Sequence, residues 1–182
     1  MKLMIASDLH GSAQYTKQLL EQYDVLCCEK LVLLGDLLYH GARNDLPAGY
    51  APKEVIAMLN PMSDKILAVR GNCDSEVDQM VMDFPIMAPY SQILWGARTI
   101  FLTHGHGITP ENPPRLPKGS LFFSGHTHIP AFEERDGVIY CNPGSISIPK
   151  NGSERGFYLL DTDESTLCRY DLGGKLLAKY DI

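Results

Sequence analysis

Short apolar runs, each broken by a polar turn, recur along the first half of the chain and set the expected architecture. Lys2 to Ala6 (KLMIA) has the continuous hydrophobicity of a strand buried on both faces, and it stops at Ser7-Asp8-Leu9-His10-Gly11. Ser12 is placed to cap a helix on which Tyr15, Leu19 and Tyr23 fall at i, i+4 and i+8, a stripe suited to packing on a sheet. The next run, Leu31 to Leu34, ends at Gly35-Asp36; Tyr39 to Tyr50, rich in Gly, Pro, Asn and Asp, reads as an exposed loop. Pro52 suits the first turn of a second helix through Leu59, closed off by Asn60-Pro61. Lys65 to Val69 is a third strand ending at Arg70-Gly71-Asn72-Cys73-Asp74, and Ser75 opens a short helix expected to reach Met82.

From Ile86 onward the periodicity changes. Gln92 to Trp95 and Thr99 to Thr103, joined across Gly96-Ala97-Arg98, alternate as an antiparallel hairpin does, and the second run ends at His104-Gly105-His106-Gly107. The stretch holding Pro110, Pro113, Pro114 and Pro117 is too proline-rich for a helix. Leu121 to Ser124 then leads into Gly125-His126-Thr127-His128. Ala131 to Arg135, Val138 to Cys141, Gly156 to Asp161, Thr166 to Asp171 and Lys175 to Asp181 read as consecutive short strands, with Asp136-Gly137 and Gly173-Gly174 as hairpin turns. A βαβαβα half followed by a mostly antiparallel half predicts an α/β fold, a four-layer αββα sandwich of two mixed β-sheets flanked by helices. No linker, repeat or low-complexity tract interrupts residues 1–182, so a single domain is expected.

Composition narrows the function classes. A 45% hydrophobic content is enough for a real core. A net charge of -6 without a lysine or arginine cluster argues against affinity gained by wrapping a polyanion, so stable nucleic-acid binding is not expected. Cys27, Cys28, Cys73, Cys141 and Cys168 are odd in number and form no Cys-x-x-Cys spacing, which suggests reduced thiols rather than a disulfide frame or a structural zinc site. The N-terminus lacks the features of a secretory signal, and no window approaches the roughly 20 apolar residues of a membrane span. A cytoplasmic protein without membrane association is the expectation.

Chemistry enters where the apolar runs end. Five of them stop in a glycine or serine beside a potential metal donor: Asp8 with His10, Asp36, Asn72, His104, and His126 with His128. Taken singly, Asp8 and Asp36 also suit helix or turn caps, Gly71-Asn72 is a common turn pair, and His104 suits a packed position. Independent caps and turns, however, have no reason to recur at every strand end with donors only. The carboxyl ends of strands in open α/β sheets form the crevice where ligands bind, which would gather these seven side chains. His126 and His128, two positions apart, share a face if the backbone is extended. Seven donors exceed one tetrahedral ion and fit two ions in a mixed nitrogen and oxygen shell. Two such ions about 3.5 to 4 Å apart need a bridging carboxylate and make a shared water acidic enough to give hydroxide near neutral pH, a centre suited to attack on phosphorus.

This ordered set, Asp8-x-His10, Gly35-Asp36, Gly71-Asn72, His104-Gly105-His106 and Gly125-His126-Thr127-His128, resembles the calcineurin-like metallophosphoesterases, and within them the small bacterial phosphodiesterases of the YfcE type. The likeness spans nearly the whole chain and includes Gly71-Asn72-Cys73-Asp74, Asn142-Pro143-Gly144-Ser145 and the His40-Gly41 loop. The resemblance implies that Asp8, His10 and His128 hold one metal, that Asn72, His104 and His126 hold the other, and that Asp36 bridges. It implies hydrolysis of small-molecule phosphodiesters by in-line attack of a hydroxide held between the ions, served by Asp36, Asn72 and His104 without a protein nucleophile. Manganese is the expected metal, with iron, nickel, zinc or magnesium substituting, and a homo-oligomer, dimer or tetramer, is the expected assembly.

One position departs from the pattern. Many members of the wider superfamily carry a histidine after Gly-Asn, placed to protonate the leaving oxygen; here that residue is Cys73. A thiol of pKa about 8.5 is a poor substitute for imidazolium, so general-acid help, usually worth about 10²- to 10⁴-fold, is expected to be weak and good leaving groups to be favoured. His106, two positions after His104 and on the same face if the backbone is extended, is a candidate to touch substrate or orient a ligand, or else a turn histidine. His40, Arg43 and Asn44 are candidates to bind a phosphate or nucleotide, with solvated loop residues as the alternative. Two rival functions remain at this level: a phosphomonoesterase with the same centre, and a non-catalytic protein-interaction module such as the retromer subunit that shares this fold with part of its metal set altered. In the present chain no position has lost its donor.

Overall fold

A computed structural model describes residues 1–182 of the chain. Three parallel strands, β1 (Lys2–Ala6), β2 (Lys30–Leu33) and β3 (Ile66–Ala68), are connected through α1 (Ala13–Val25) and α2 (Pro52–Leu59). A one-turn helix α3 (Glu76–Gln79) follows, then β4 (Tyr90–Trp95), β5 (Arg98–Thr103), β6 (Leu121–Phe123), β7 (Ala131–Arg135), β8 (Val138–Asn142), β9 (Gly156–Asp161), β10 (Thr166–Asp171) and β11 (Leu176–Asp181). They form a six-stranded sheet in the order β11-β10-β9-β1-β2-β3 and a five-stranded sheet in the order β4-β5-β6-β8-β7.

The local signals act as expected at the helix starts. Ser12 Oγ accepts the Tyr15 N–H, and Pro52 occupies the opening turn of α2. The α-helix ends at Leu59, ahead of Asn60-Pro61 as expected, and a 3₁₀ stretch, Asn60–Lys65, follows it. The third helix is shorter than its pattern suggests. After the Ser75–Asp78 capping box, the Gln79 side chain bonds to Ile86 N–H and Phe84 C=O and Asn60 bonds to Val81 C=O and Asp83 N–H, so side-chain amides replace the helical ladder. Met82, Phe84 and Ile86, at alternate positions, then enter the core from an irregular segment.

Alternation in β1 and β9 feeds two cores. Met4, Ala6, Phe157 and Leu159 pack under the helices, whereas Leu3, Ile5, Tyr158 and Leu160 face the second sheet and meet Ile100, Leu102, Leu121 and Phe123. The two-sheet sandwich is therefore present, and its helices lie over the six-stranded sheet. Over the outer face of the five-stranded sheet, the cover is the loop carrying Ile108 and Leu116, laid across Phe101, Phe122, Val138 and Tyr140. That sheet is also less antiparallel than its sequence suggests, because β5, β6 and β8 run parallel in its middle. Stacking of Phe132 on Tyr180, with centroids 3.6 Å apart, joins the edge strands β7 and β11 of the two sheets. No helix is long and apolar enough to cross a membrane, and all five cysteines are free thiols.

The inter-sheet core should dominate stability. Phe123→Ala, at a fully buried position, is expected to cost about 3–5 kcal/mol in urea denaturation. Leu94→Ala, 79% exposed on edge strand β4, should stay within about 0.5 kcal/mol; equal losses would contradict this packing.

Candidate metal centre

The carboxyl ends of β1, β2 and β3 in one sheet and of β5 and β6 in the other bring the seven predicted donors together. The backbone is distorted to do so. Five of the nine non-glycine residues with positive φ are among those donors: Asp8 at 58°, His10 at 48°, Asp36 at 56°, His126 at 68° and His128 at 61°. Left-handed conformations of this kind cost of order 1–3 kcal/mol each and are kept where the surroundings over-determine them. The extended backbone expected at His126 and His128 is thus replaced by two left-handed turns. Close approach also demands glycines: a Cβ on Gly71 would collide with Asp36, and one on Gly125 with Ser7 Oγ.

Two half-sites result. In the first, His128 Nε2 lies 3.2 Å and His10 Nε2 3.5 Å from Asp8 Oδ1, and the two Nε2 atoms are 3.2 Å apart. In the second, His104 Nε2 lies 3.4 Å from Asp36 Oδ2 and 3.1 Å from Asn72 Oδ1. Asp36 Oδ2 also reaches 3.7 Å from His10 Nε2, so it faces both. The His126 ring lies 5.1 Å from that of His104 between centroids and lines the cavity above.

Each of the three buried imidazoles points one nitrogen at a backbone carbonyl: His10 Nδ1 at Tyr39 (2.8 Å), His104 Nδ1 at Leu34 (2.7 Å) and His128 Nδ1 at Ile148 (2.7 Å). A carbonyl accepts only, so these contacts assign the proton to Nδ1 and leave Nε2 free as a donor of electrons toward the centre. Asp8 Oδ1 is buried without a hydrogen bond of proper geometry, an orphaned acceptor among converging lone pairs. Such a donor set fits divalent cations, and repels itself without cations or protons.

Residues outside the expected set hold these loops. Asp74, buried, accepts the N–H groups of Asp36 (2.8 Å), Leu37 (2.8 Å) and Gly71 (2.7 Å), tying the β2 and β3 ends together. Ser145 and Ser147 both donate to the Asp8 carbonyl at 2.8 Å, and Asn142 Nδ2 donates to Gly125 C=O at 2.7 Å, so Asn142-Pro143-Gly144-Ser145 forms a turn beneath the site. Arg169 on β10 donates to Glu154 C=O at 2.8 Å and to Pro143 C=O, within that turn, at 3.4 Å. Asp74 and the Asn142 turn carry a sequence signal, as parts of Gly71-Asn72-Cys73-Asp74 and Asn142-Pro143-Gly144-Ser145; the partners of Ser147 and Arg169 are set by tertiary contact.

A cavity of about 720 Å³ opens over the donors, and Arg43, Asn44 and Cys73 line it. His40 does not reach it: its ring packs edge-on against Tyr39 and Tyr50, while its carbonyl accepts from Asn44 Nδ2. His106 is exposed, its ring 5.4 Å from that of His104. Lys150, not singled out by the sequence pattern, also lines the cavity.

This geometry has counterparts. The model of the calcineurin-like phosphoesterase superfamily domain matches residues 1–165, and the chain belongs to that superfamily. Phosphodiesterase YfcE of Escherichia coli (strain K12) is 51% identical over 163 residues, covering 90% of this chain and 89% of that protein. The solved structure of YfcE, described as a phosphoesterase from E. coli, matches with a TM-score of 0.96 at 47% identity over 100% of both chains. Vacuolar Protein Sorting 29 from Cryptosporidium parvum shares the fold alone, with a TM-score of 0.67 and 18% identity over 100% of this chain and 98% of its own. Superfamily membership implies divalent metal ions, for which the clustered donors are the candidates.

Protonation competes with metal here. Burial works to raise the Asp8 carboxyl, but contacts with His10 and His128 outweigh it and hold it well below its ordinary value. Burial lowers the imidazoles, yet Asp36 carries His104 up to about 9 and Asp8 raises His10. The stability His104 gives the metal-free protein is thus complete below its ordinary pKa of 6.5 and is lost as pH rises through about 9. Mn²⁺ titration at pH 7, in buffers of different ionisation enthalpy, should release about one to two protons per chain and progressively fewer toward pH 9.5. Binding without proton release at pH 7 would contradict these assignments.

Proposed function

We propose that this chain is a metal-dependent phosphodiesterase, a phosphoric diester hydrolase that uses two divalent ions bridged by Asp36. The observation that carries the reading is the division of labour on one carboxylate: Asp36 Oδ1 accepts the Cys73 N–H at 2.8 Å, and Oδ2 faces His10 and His104 together. Asp8, His10 and His128 serve one ion; Asn72, His104 and His126 serve the other. The mixed nitrogen and oxygen shell suits Mn²⁺, with Fe, Ni, Zn or Mg as substitutes. When bound, the ions supply an activated water as nucleophile and neutralise the phosphoryl oxygens.

The chain itself fixes geometry and charge. The carbonyl contacts of His10, His104 and His128 lock the rings, so little reorganisation is needed as substrate binds. Arg43 and Asn44 lie on the cavity wall, where Asn44 is the neutral donor within reach of a non-reacting oxygen of a diester. Cys73 accepts from Asn72 Nδ2 at 3.2 Å, and burial together with the Asp36 charge pushes its thiol up to about 12. A proton so firmly held gives little help to a departing oxygen, so diesters with acidic leaving groups are favoured. His106 lies beside His104 but outside the residues that line the cavity, so its role in this reading is to orient His104 rather than to touch substrate. Residues 1–182 act as one domain in this reading.

The test is hydrolysis of a bis-nitrophenyl phosphodiester. Chelated protein should be inactive and regain activity on Mn²⁺ addition; full activity in chelator would overturn the reading. Across aryl diesters, the rate should fall steeply with rising leaving-group pKa, and Cys73→His should raise rates on the poorest leaving groups by about 10- to 100-fold. A flat dependence on leaving-group pKa would contradict the role given to Cys73.

A further inference from the structure

The cavity over the metal donors is larger than a reacting phosphoryl group needs. Its volume of about 720 Å³ lies within the roughly 300–1,000 Å³ of sites that enclose whole small-molecule ligands. Charge inside it is uneven. Among the lining side chains, Asp36 is the carboxylate and belongs to the metal donors, while Arg43 and Lys150 are the cations. Neither cation is engaged in an ion pair, although acidic residues outnumber basic ones 22 to 16 in the chain. Two unpaired cations inside the substrate cavity of an acidic protein reverse the local field and draw anions to that wall.

Their backbones are fixed relative to the donors. The Lys150 N–H donates to the His128 carbonyl at 3.2 Å, and the Lys150 carbonyl accepts from Ser153 N–H at 3.0 Å and from Ser153 Oγ at 2.7 Å. Asn151 and Gly152, at φ of 55° and 68°, close that turn. Arg43 lies in a second turn, closed by the Asn44 N–H on the Gly41 carbonyl at 3.1 Å, in the loop that follows Asp36. Two separate loops thus present cations to one cavity, Lys150 beside His128 and Arg43 in the loop that follows Asp36.

We propose that Lys150 and Arg43 together bind a second anionic group carried on one arm of the substrate, so that the preferred substrates are phosphodiesters bearing an additional carboxylate or phosphate. This assignment rests on the phosphodiesterase reading above. Divalent ions at the donors would meet the charge of the reacting phosphoryl group; the additional anion meets a guanidinium fork and an ammonium that form no ion pair within the chain. Both side chains are exposed, so the preference weakens as salt screens it, with a Debye length of about 8 Å at physiological ionic strength.

Two diesters with the same nitrophenolate leaving group, one with a carboxyethyl and one with a propyl second arm, isolate this contact. On Mn²⁺-loaded wild-type protein at low salt, kcat/KM should favour the carboxyethyl diester by about tenfold, mainly through KM. In the Lys150→Met, Arg43→Met double variant the ratio should fall to about one, and Arg43→Lys should keep part of it. The ratio of two rates on one preparation does not depend on the fraction of folded protein. Equal rates on the two diesters, or the same preference in wild type and double variant, would overturn the assignment and leave the phosphodiesterase reading standing. Hydrolysis of neither diester would overturn both.

Discussion

The centre depends on where one carboxylate is held. Asp36 follows β2 in a left-handed conformation, its own N–H and that of Leu37 bound by buried Asp74, and one of its oxygens taken by the Cys73 N–H. Only the second oxygen is left for the interior, and it faces an imidazole from each half-site. The absence of a side chain at Gly71 makes this possible, since a Cβ there would occupy the space of the carboxylate. An aspartate at a less constrained turn could rotate both oxygens to one side and serve one half-site alone.

The other half is organised from below. Asp8 owes its place to two serine hydroxyls on its carbonyl, and His128 to the carbonyl of Ile148, all from the segment between β8 and β9. That segment spans the two sheets: it leaves the five-stranded one and enters the six-stranded one beside β1. Each half-site draws donors from both sheets, so packing of the sheets through Leu3, Ile5, Phe123 and Tyr158 sets the distances within it, and the site inherits its precision from the inter-sheet core.

Much of this was legible in the sequence because the chemistry coincides with punctuation. Where an apolar run breaks at glycine or serine and a donor follows, strand end and candidate ligand are announced together, as at Asp8, Asp36, Asn72, His104 and His126. Caps at Ser12 and Pro52 are local and also legible. Pairing is not local: β5, β6 and β8 run parallel because loops return them that way, and nothing in their alternation distinguishes this from a meander. The left-handed turns at His126 and His128 are concealed for the same reason, since the spacing alone suggests extended backbone. Nor could residue type reveal that His40 packs between tyrosines while Lys150, over a hundred positions further on, faces the cavity. The short α3 shows side-chain amides from Gln79 and Asn60 overriding a pattern that read as helical.

Two ions joined through Asp36 and otherwise held by separate donors would show directly in the metal content per chain after chelation, Mn²⁺ loading and desalting. Wild-type protein should hold two ions. His128→Ala should lose one preferentially, and Asp36→Ala should weaken both. A single ion in the wild-type protein, or loss of both from His128→Ala while its fold is intact, would contradict the claim.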